Sequence, residues 1–335
     1  MSLNIAAKEV KPLRVNYGYT ARRVGEHKPA TRYQEAVYDI QPTCNFHYPP
    51  SWEPNKQLFD ASRTAIVMQD WYTFTDPRQY YYTSYVTARA KQQEGMENSF
   101  ELIEKHNLLQ TVPAAVQDKV RQVLIPLRHV EYGANMNNQD ICDRGYGTTI
   151  TSVASFNGFD RIGMAQYVSR IALLLDGNEE TSLLAAKAAW LDAPEWQPLR
   201  HAIEDTFVLD DWFEIMIAQN IVLDGLLYPL LYERFTTQLA AEGGSPFIML
   251  TQFMREWSDE TTRWTNQLLK VTAAESPANA ALLAQWTSQW LARMEQALTP
   301  IATLAFADNG AAQLAAVKQE LLARLAKQGI KLGGV

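Results

Sequence analysis

The chain has 335 residues, of which 47% are hydrophobic and 20% charged, a composition typical of a globular protein with a large core. Its formal net charge of −7 excludes a surface built to bind nucleic acid phosphates. The two cysteines, Cys44 and Cys142, are far apart in sequence and form no CxxC motif, which favours a reduced chain without a thiolate metal site.

The first 57 residues are predicted to form an extended arm. They begin with MSLNIAAKEVKP, which lacks the apolar run of a signal peptide, so we expect a cytoplasmic protein. Prolines break any long helix here, at positions Pro12, Pro29, Pro42, Pro49, Pro50 and Pro54. The arm is nevertheless rich in rings that favour burial, namely Tyr17, Tyr19, Tyr33, Tyr38, Phe46, Tyr48 and Trp52. It either folds back on its own helical body or embraces a partner chain.

From about Phe59 the hydrophobic spacing becomes helical. A helix is predicted to follow Pro113, which suits a first turn, and a second to run from Thr148 to Asp176 and stop at Gly177. Asp211 is predicted to cap a third helix, with Glu214 closing a capping box. Its sequence reaches the Gly243–Gly244 pair, and Pro229 should kink it.

Three more helices are predicted, at about 246–272, 277–304 and 311–327. Strand-like alternation is almost absent, so we predict one all-α domain over residues 58–335, an antiparallel bundle of long helices. The helix at 211–240 is apolar nearly all round, which places it at the centre of the core or at a large subunit contact. Charged residues interrupt it, and no membrane span is expected.

A bundle of long helices raises the possibility of a carboxylate-bridged di-iron centre, which needs two Glu-x-x-His pairs. The histidines are His27, His47, His106, His129 and His201, and three residues before them stand Val24, Cys44, Ile103, Pro126 and Pro198. None of these is an acid, so the sequence predicts no metal ligands in this chain. It also lacks the glycine-rich nucleotide loops and the GxSxG elbow.

Several acids fall in apolar helical segments, where an ionised carboxylate is costly unless it is paired. They are Glu131, Asp140, Asp143, Asp160, Asp205 and Asp224. Internal ion pairs with nearby arginines are the favoured interpretation, and the candidates are Arg128, Arg144, Arg161 and Arg200. An unusual metal or proton site is the alternative.

Three long blocks resemble the β subunit of bacterial multicomponent monooxygenase hydroxylases, most of all the phenol hydroxylase type. They are MQDWYTFTDPRQYYYTSYVTARA (68–90), RHVEYGANMNNQDICDRGYGTTITSVASFNGFDRIGMAQYVSRIALLLD (128–176) and LRHAIEDTFVLDDWFEIMIAQNIVLDGLLYPLLYERF (199–235). The resemblance implies a ferritin-like fold and a non-catalytic role beside an iron-bearing α subunit. The complex would be a dimer of αβγ units. It would insert one oxygen atom of O₂ into phenol or a related aromatic, with electrons from NADH.

The same resemblance implies that di-iron lies in α, that a separate reductase carries FAD and a [2Fe–2S] cluster, and that a regulatory protein docks on the hydroxylase. For subunit contacts we predict a patch rich in Trp, Tyr and Arg, the types enriched at interface hot spots. It comprises Trp71, Tyr72, Phe74, Arg78, Tyr80, Tyr81 and Tyr82, joined by Tyr17, Tyr19 and Trp52 of the arm. The alternatives are plain core packing of these rings, a toluene- or alkene-type complex, a standalone metalloenzyme, or an unrelated helical scaffold.

Overall fold

The computed structural model describes residues 13–41 and 49–332, and within these ranges the regular structure is entirely helical. The predicted all-α fold is therefore confirmed. Residues of the arm that entered the sequence predictions but lie outside the described residues are Pro12, Pro42, Cys44, Phe46, His47 and Tyr48.

The described part of the arm packs on the chain's own body. It holds two short helices, α1 (Gly18–Val24) and α2 (Arg32–Val37). Arg23 donates hydrogen bonds to Asp39 at 2.6 Å and to Asp70 at 2.7 Å. The Asp76 backbone N–H donates to the buried Tyr33 hydroxyl at 2.8 Å. Of the two alternatives for the arm, folding back on its own body is the one seen in these described residues.

Long helices build the body. The first four are α3 (Tyr82–Lys105), α4 (Ala114–Lys119, continued by a π segment at Val120–Leu124), α5 (Leu127–Arg144) and α6 (Thr148–Leu175). Two shorter helices follow, α7 (Thr181–Asp192) and α8 (Gln197–Thr206). The predicted stop at Gly177 is confirmed, because this residue has φ +64° and the Asn178 N–H donates to the Leu173 carbonyl at 2.7 Å.

Helix α9 (Trp212–Ala241) is the buried centre of the bundle. It is long and apolar enough to cross a membrane, but 89% of its most apolar window is buried inside the chain, so it is a core helix. Asp211 caps it, accepting from the Phe213 N–H at 2.8 Å, as predicted. The predicted capping box does not form, because Glu214 accepts a hydrogen bond from the Trp290 indole at 2.9 Å instead.

Two π segments interrupt α9, at Ile217–Leu223 and Tyr228–Phe235. Pro229 lies at the start of the second, where wide turns accommodate a ring that would clash in a regular α-helix. The C-terminal third forms α10 (Pro246–Leu250), α11 (Gln252–Glu275), α12 (Pro277–Phe306) and α13 (Gly310–Lys327), close to the predicted boundaries.

Helices α5 and α6 pack along most of their length. The turn between them holds Gly147 with φ +89°, a conformation that L side chains rarely adopt. Gly158 permits the close approach of the two helices, because a Cβ there would lie 2.3 Å from the Gln139 amide nitrogen. The Asn135 amide donates to the Gly158 carbonyl at 2.8 Å, which fixes the register of the pair.

Candidate functional site

A buried cluster of charges lies where α5, α6 and α9 meet. The Arg161 guanidinium of α6 donates to Glu131 of α5 at 2.9 Å and also to Asp224 of α9. Arg161 is 1% exposed and Glu131 0%. The predicted internal ion pairing is confirmed here, since one cation holds acids from two neighbouring helices.

Tyrosines from the second π segment of α9 complete this charge cluster. The Tyr228 hydroxyl accepts from Arg161 at 2.6 Å and donates to Glu131 at 2.9 Å. The Tyr232 hydroxyl donates to Glu131 at 3.0 Å. Asp224 also accepts from the Gln219 amide at 3.0 Å. The buried carboxylates are thus supplied with donors, as burial of charge requires.

The network continues along the bundle through uncharged amides. The Asn137 amide donates to Gln219 at 2.9 Å and to the Thr206 hydroxyl at 2.8 Å. The next residue on each helix, Asn138 of α5 and Asn220 of α9, forms a neighbouring pair whose amides exchange hydrogen bonds of 3.1 and 3.0 Å. These side chains tie α5 and α8 to the first π segment of α9.

A second cluster surrounds Asp160, the residue before Arg161 in α6. Its carboxylate accepts from Arg89 of α3 at 2.8 Å, from the Tyr85 hydroxyl at 2.8 Å and from the Trp257 indole at 2.8 Å. Arg89 also pairs with Glu260 at 3.0 Å. Successive charged residues of α6 therefore attach it to different neighbours: α5 and α9 on one side, α3 and α11 on the other.

The remaining acids differ in their surroundings. Asp140 pairs with Arg144 on the same helix, as expected. Asp143 and Asp205 are exposed, contrary to the expectation that they are buried, and Asp205 pairs with Arg293 at 2.7 Å. The pKa of Asp143 is nevertheless raised, because nearby protein atoms partly remove water from its carboxylate and the neighbouring Asp140 is also an acid.

Burial controls the electrostatics of the central charge cluster. It raises the pKa of Asp224, although Arg161 acts against this shift. Burial also raises the pKa of Tyr228 and of Tyr232 well above the ordinary range, so both hydroxyls stay protonated and act as donors. For Arg161, burial alone would lower the pKa, but attraction to Asp224, Tyr228 and Glu131 raises it overall. The guanidinium is a permanent cation held between the acids.

These residues do not fit a di-iron centre. Arg161 already occupies the space between the carboxylates of Glu131 and Asp224, and a guanidinium both repels a metal ion and has no lone pair to donate. Within the part of the chain that the structure describes, no group of three or more His, Cys, Asp or Glu side chains could hold a metal ion. The described histidines lie elsewhere: His27, His106 and His201 are exposed, and His129 stacks on Trp190 with ring centroids 5.8 Å apart.

A cavity of about 500 Å³ opens beside the charge cluster and reaches Asp224 and Tyr228. Its wall carries both acids and bases, among them Glu256, Arg255 and Arg324. Burial lowers the pKa of Arg324 to about 10. The mixed charges single out no ligand class, and the cavity brings solvent to one edge of the cluster.

The predicted contact residues separate into two groups. Trp71, Tyr72 and Phe74 are at most 9% exposed and pack inside this chain, and Arg78 pairs with Asp76 at 3.0 Å. Tyr19, Tyr80 and Tyr81 are half-buried. The residues with large exposed surfaces are Tyr17 (44%), Trp52 (51%) and Tyr82 (71%). Contact of these residues with a partner stays a prediction, and the exposed three are its best candidates.

Sequence reasoning missed Arg89, Tyr228, Tyr232 and Trp257 as members of the two clusters. The spacing of Tyr228 and Tyr232 was an available signal, because residues four apart share a helix face and both hydroxyls need partners when buried. For Arg89 no such signal existed, since its partner Asp160 lies on a different helix.

Comparison with known proteins gives consistent matches. Residues 52–276 match the Methane/Phenol/Alkene Hydroxylase family. The chain is 48% identical to the phenol 2-monooxygenase oxygenase component DmpL of Pseudomonas sp. (strain CF600), covering 99% of both chains. A crystal structure of phenol hydroxylase from Pseudomonas sp. OX1 superposes with a TM-score of 0.93 at 46% identity, covering 99% of this chain and 100% of that one. A more distant relative, 22% identical over 80% of this chain and 86% of its own length, is the hydroxylase component subunit beta of the toluene-4-monooxygenase system of Ectopseudomonas mendocina.

Proposed function

Because the chain belongs to the methane/phenol/alkene hydroxylase family, we propose that it is the non-catalytic β-type subunit of a phenol-type hydroxylase. The relatives are oxygenase components of multicomponent monooxygenases, and membership of such a complex is the part of the proposal with the broadest support. The observation that carries the β assignment is the arginine-filled charge cluster.

In this proposal the oxygen chemistry belongs to an iron-bearing α subunit, and this chain holds that subunit in shape. A di-iron site needs ligands placed to within a fraction of an ångström, which a rigid neighbouring bundle favours. The ionic and amide networks that join α3, α5, α6, α8 and α9 supply such rigidity. A γ subunit completes an αβγ unit that dimerises. A regulatory protein and a reductase with FAD and a [2Fe–2S] cluster dock on the assembly, which works in the cytoplasm.

The substrate is proposed to be phenol or a related aromatic, because the 48% identical relative is named for phenol. A toluene- or alkene-type complex is the second candidate, for which the support is the 22% identical toluene relative. The pocket that selects the substrate would lie in the α subunit.

The test compares the purified chain with the complex obtained by co-expression with its operon neighbours. Iron analysis is expected to find metal in the α subunit alone, and phenol turnover with reductase and NADH only in the complex. Stoichiometric iron in the isolated chain, or catechol formed by it, would overturn the proposal.

A variant sharpens the test. Glu131→Gln keeps the shape of the buried carboxylate but removes its charge. An assembled complex with this change is expected to keep its turnover per iron, because Glu131 contacts Arg161 and tyrosines of its own chain. The control is Glu233→Gln, which makes the same chemical change at an exposed position of α9 and shows the effect of mutation and purification alone. Loss of turnover per iron in an intact Glu131→Gln complex would assign this chain a catalytic part.

A further inference from the structure

The outer faces of α5 and α6 form a surface without formal charge. Along Thr148–Ser169 of α6 the charged residues are Asp160 and Arg161, and both point into the chain. Along Val130–Gln139 of α5 the charged residue is Glu131, which is also buried. A helix face in solvent ordinarily carries charges, so this pattern marks a surface that is covered.

Large apolar side chains stand out from this uncharged face. Phe159 is 54% exposed, Tyr132 57% and Met136 42%. The hydrogen bond from Asn135 to the Gly158 carbonyl places the two helices side by side at this level, so these side chains belong to one continuous surface. Exposed apolar groups clustered in this way mark interaction sites.

Gly163 gives an independent indication. It lies one turn after Phe159, and a Cβ added there would meet nothing within 4 Å in this chain. Glycine in the middle of a helix lowers helix stability relative to alanine, and nothing inside the chain offsets that loss. A backbone left bare on the outer surface is what a closely approaching second backbone needs.

The face is large enough for a specific contact. At a rise of 1.5 Å per residue, Thr148–Ser169 extends about 33 Å, and two adjacent helices are roughly 20 Å wide. The product, roughly 650 Å², approaches the ~800 Å² that each partner buries in a standard interface. At the α3 side, Tyr85 stacks on Phe156 at 4.2 Å, and the neighbouring Tyr82 and Val86 are exposed and extend the surface.

We propose that this uncharged α5–α6 face binds an uncharged helical face of the larger, iron-bearing subunit of the hydroxylase. The inference rests on the proposed function and adds the surface to it. The choice of occupant follows from the relatives, which are named hydroxylase component small subunit and subunit beta and therefore have a differently sized companion. A second copy of this chain would bring another net charge of −7, which disfavours self-association.

The experiment introduces a charge at the centre of the face. Phe159→Asp and the control Leu184→Asp change apolar side chains of similar exposure, 54% and 56%, on different helices. Each full-length variant is co-expressed with the tagged larger subunit, and the dissociation constant is measured with purified partners. Phe159→Asp is expected to raise it ~100-fold or more, since an unpaired charge would be buried, while Leu184→Asp leaves it unchanged.

Gly163→Ala provides a second reading that does not depend on an added charge. It is expected to raise the melting temperature of the isolated chain, because the site is open and alanine favours helix. The same change is expected to weaken binding of the larger subunit, because the Cβ intrudes between closely packed backbones. A misfolded variant would lose both thermal stability and binding, so a variant with higher stability and weaker binding has its defect at the contact surface.

The outcomes are distinguishable. If the wild-type chain binds the larger subunit and Phe159→Asp and Gly163→Ala bind it equally well, the proposed face is wrong and the proposed function stands. If the wild-type chain binds no larger subunit at all, the proposed function itself fails. A wild-type homodimer that Phe159→Asp dissociates would assign the face to a second copy and overturn the proposed occupant.

Discussion

Replacing Arg161 by methionine should strongly destabilise the core. Methionine keeps much of the side-chain volume but removes the cation that holds Glu131 and Asp224. It also removes the guanidinium that stacks 4.2 Å from the centre of the Trp257 ring. The two acids are then left buried without a counter-charge.

The size of the effect follows from the contacts. Removing one partner of a buried ion pair costs about 3–5 kcal/mol in unfolding free energy, because an uncompensated charge remains. The unfolding entropy is about 2.1 cal/mol/K per residue near 60 °C, which gives about 0.7 kcal/mol/K for a chain of 335 residues. A loss of ~4 kcal/mol therefore lowers the melting temperature by about 6 °C.

The loss should also depend on pH. Without Arg161, which holds the pKa of Asp224 down in the wild type, that pKa should rise still further above its value in the unfolded chain, so the folded variant binds a proton more tightly than the unfolded variant does. The contribution of Asp224 to stability is then most favourable below its unfolded pKa of about 4, and it is lost as the pH rises toward its folded pKa. The difference from wild type should be larger at pH 8 than at pH 5.

Calorimetry of the isolated chain at both pH values measures this. The control is Arg293→Met, which breaks an exposed ion pair with Asp205 and should cost less than ~1 kcal/mol. The triple change Arg161→Met, Glu131→Gln and Asp224→Asn removes the stranded charges and should recover much of the loss. Equal melting temperatures for wild type and Arg161→Met, or a loss that does not vary with pH, would refute the reasoning.

Three further changes test local parts of the fold. Burial lowers the pKa of His129 to about 4, so as the pH drops from about 6.5 to about 4 the unfolded chain binds a proton that the folded chain does not bind, and the folded state loses stability. The melting temperature of His129→Phe should therefore fall less between pH 7 and pH 5 than that of the wild type. Equal losses would contradict this. Asp211→Ala removes the α9 cap and should cost ~1 kcal/mol in urea unfolding, whereas Asp211→Asn keeps most of the stability. Gly133→Ala places a Cβ 2.6 Å from Ile203 Cγ2 and should destabilise the chain by ~1–3 kcal/mol. Gly95→Ala has open space around the added Cβ and should stabilise the chain slightly. If calorimetry shows melting temperatures shifted in the same direction by both changes, the packing argument fails.

Helix positions were predictable from sequence because periodicity and end signals act locally. The α9 cap at Asp211 and the stop at Gly177 are set by neighbours within a turn. The failure at Glu214 has the opposite cause, since its partner Trp290 lies on another helix, and a tertiary hydrogen bond replaced the local one. The absence of Glu-x-x-His pairs is a property of the sequence itself, because each histidine can be compared with the residue three positions before it.

The partners of the buried acids and the location of the aromatic run could not be predicted in this way. Asp160 has Arg161 beside it in sequence but pairs with Arg89 of α3, because adjacent residues of a helix point in different directions. Trp71 and Phe74 are buried although they lie outside any long helix, because the segment before α3 crosses the body and packs on Trp212 and Trp264. Such choices depend on which helices are neighbours, and helical periodicity alone does not determine that.

The charge cluster is better explained as fixing the axial alignment of α5, α6 and α9 than as adding stability. Hydrophobic residues of similar volume can stabilise a core as well as a buried ion pair does. An apolar helix such as α9, however, can slide or rotate against apolar neighbours at little cost, whereas Arg161 satisfies Glu131 and Asp224 together only at one axial position of α5, α6 and α9. The same helix α6 presents its uncharged face to the outside, so whatever fixes α6 inside also fixes the surface that we assign to the larger subunit. A change at Arg161 should therefore weaken binding of the larger subunit, although Arg161 lies inside the chain and makes no contact with that subunit. If Arg161→Met binds the larger subunit with wild-type affinity, the buried and the outer faces of α6 are independent.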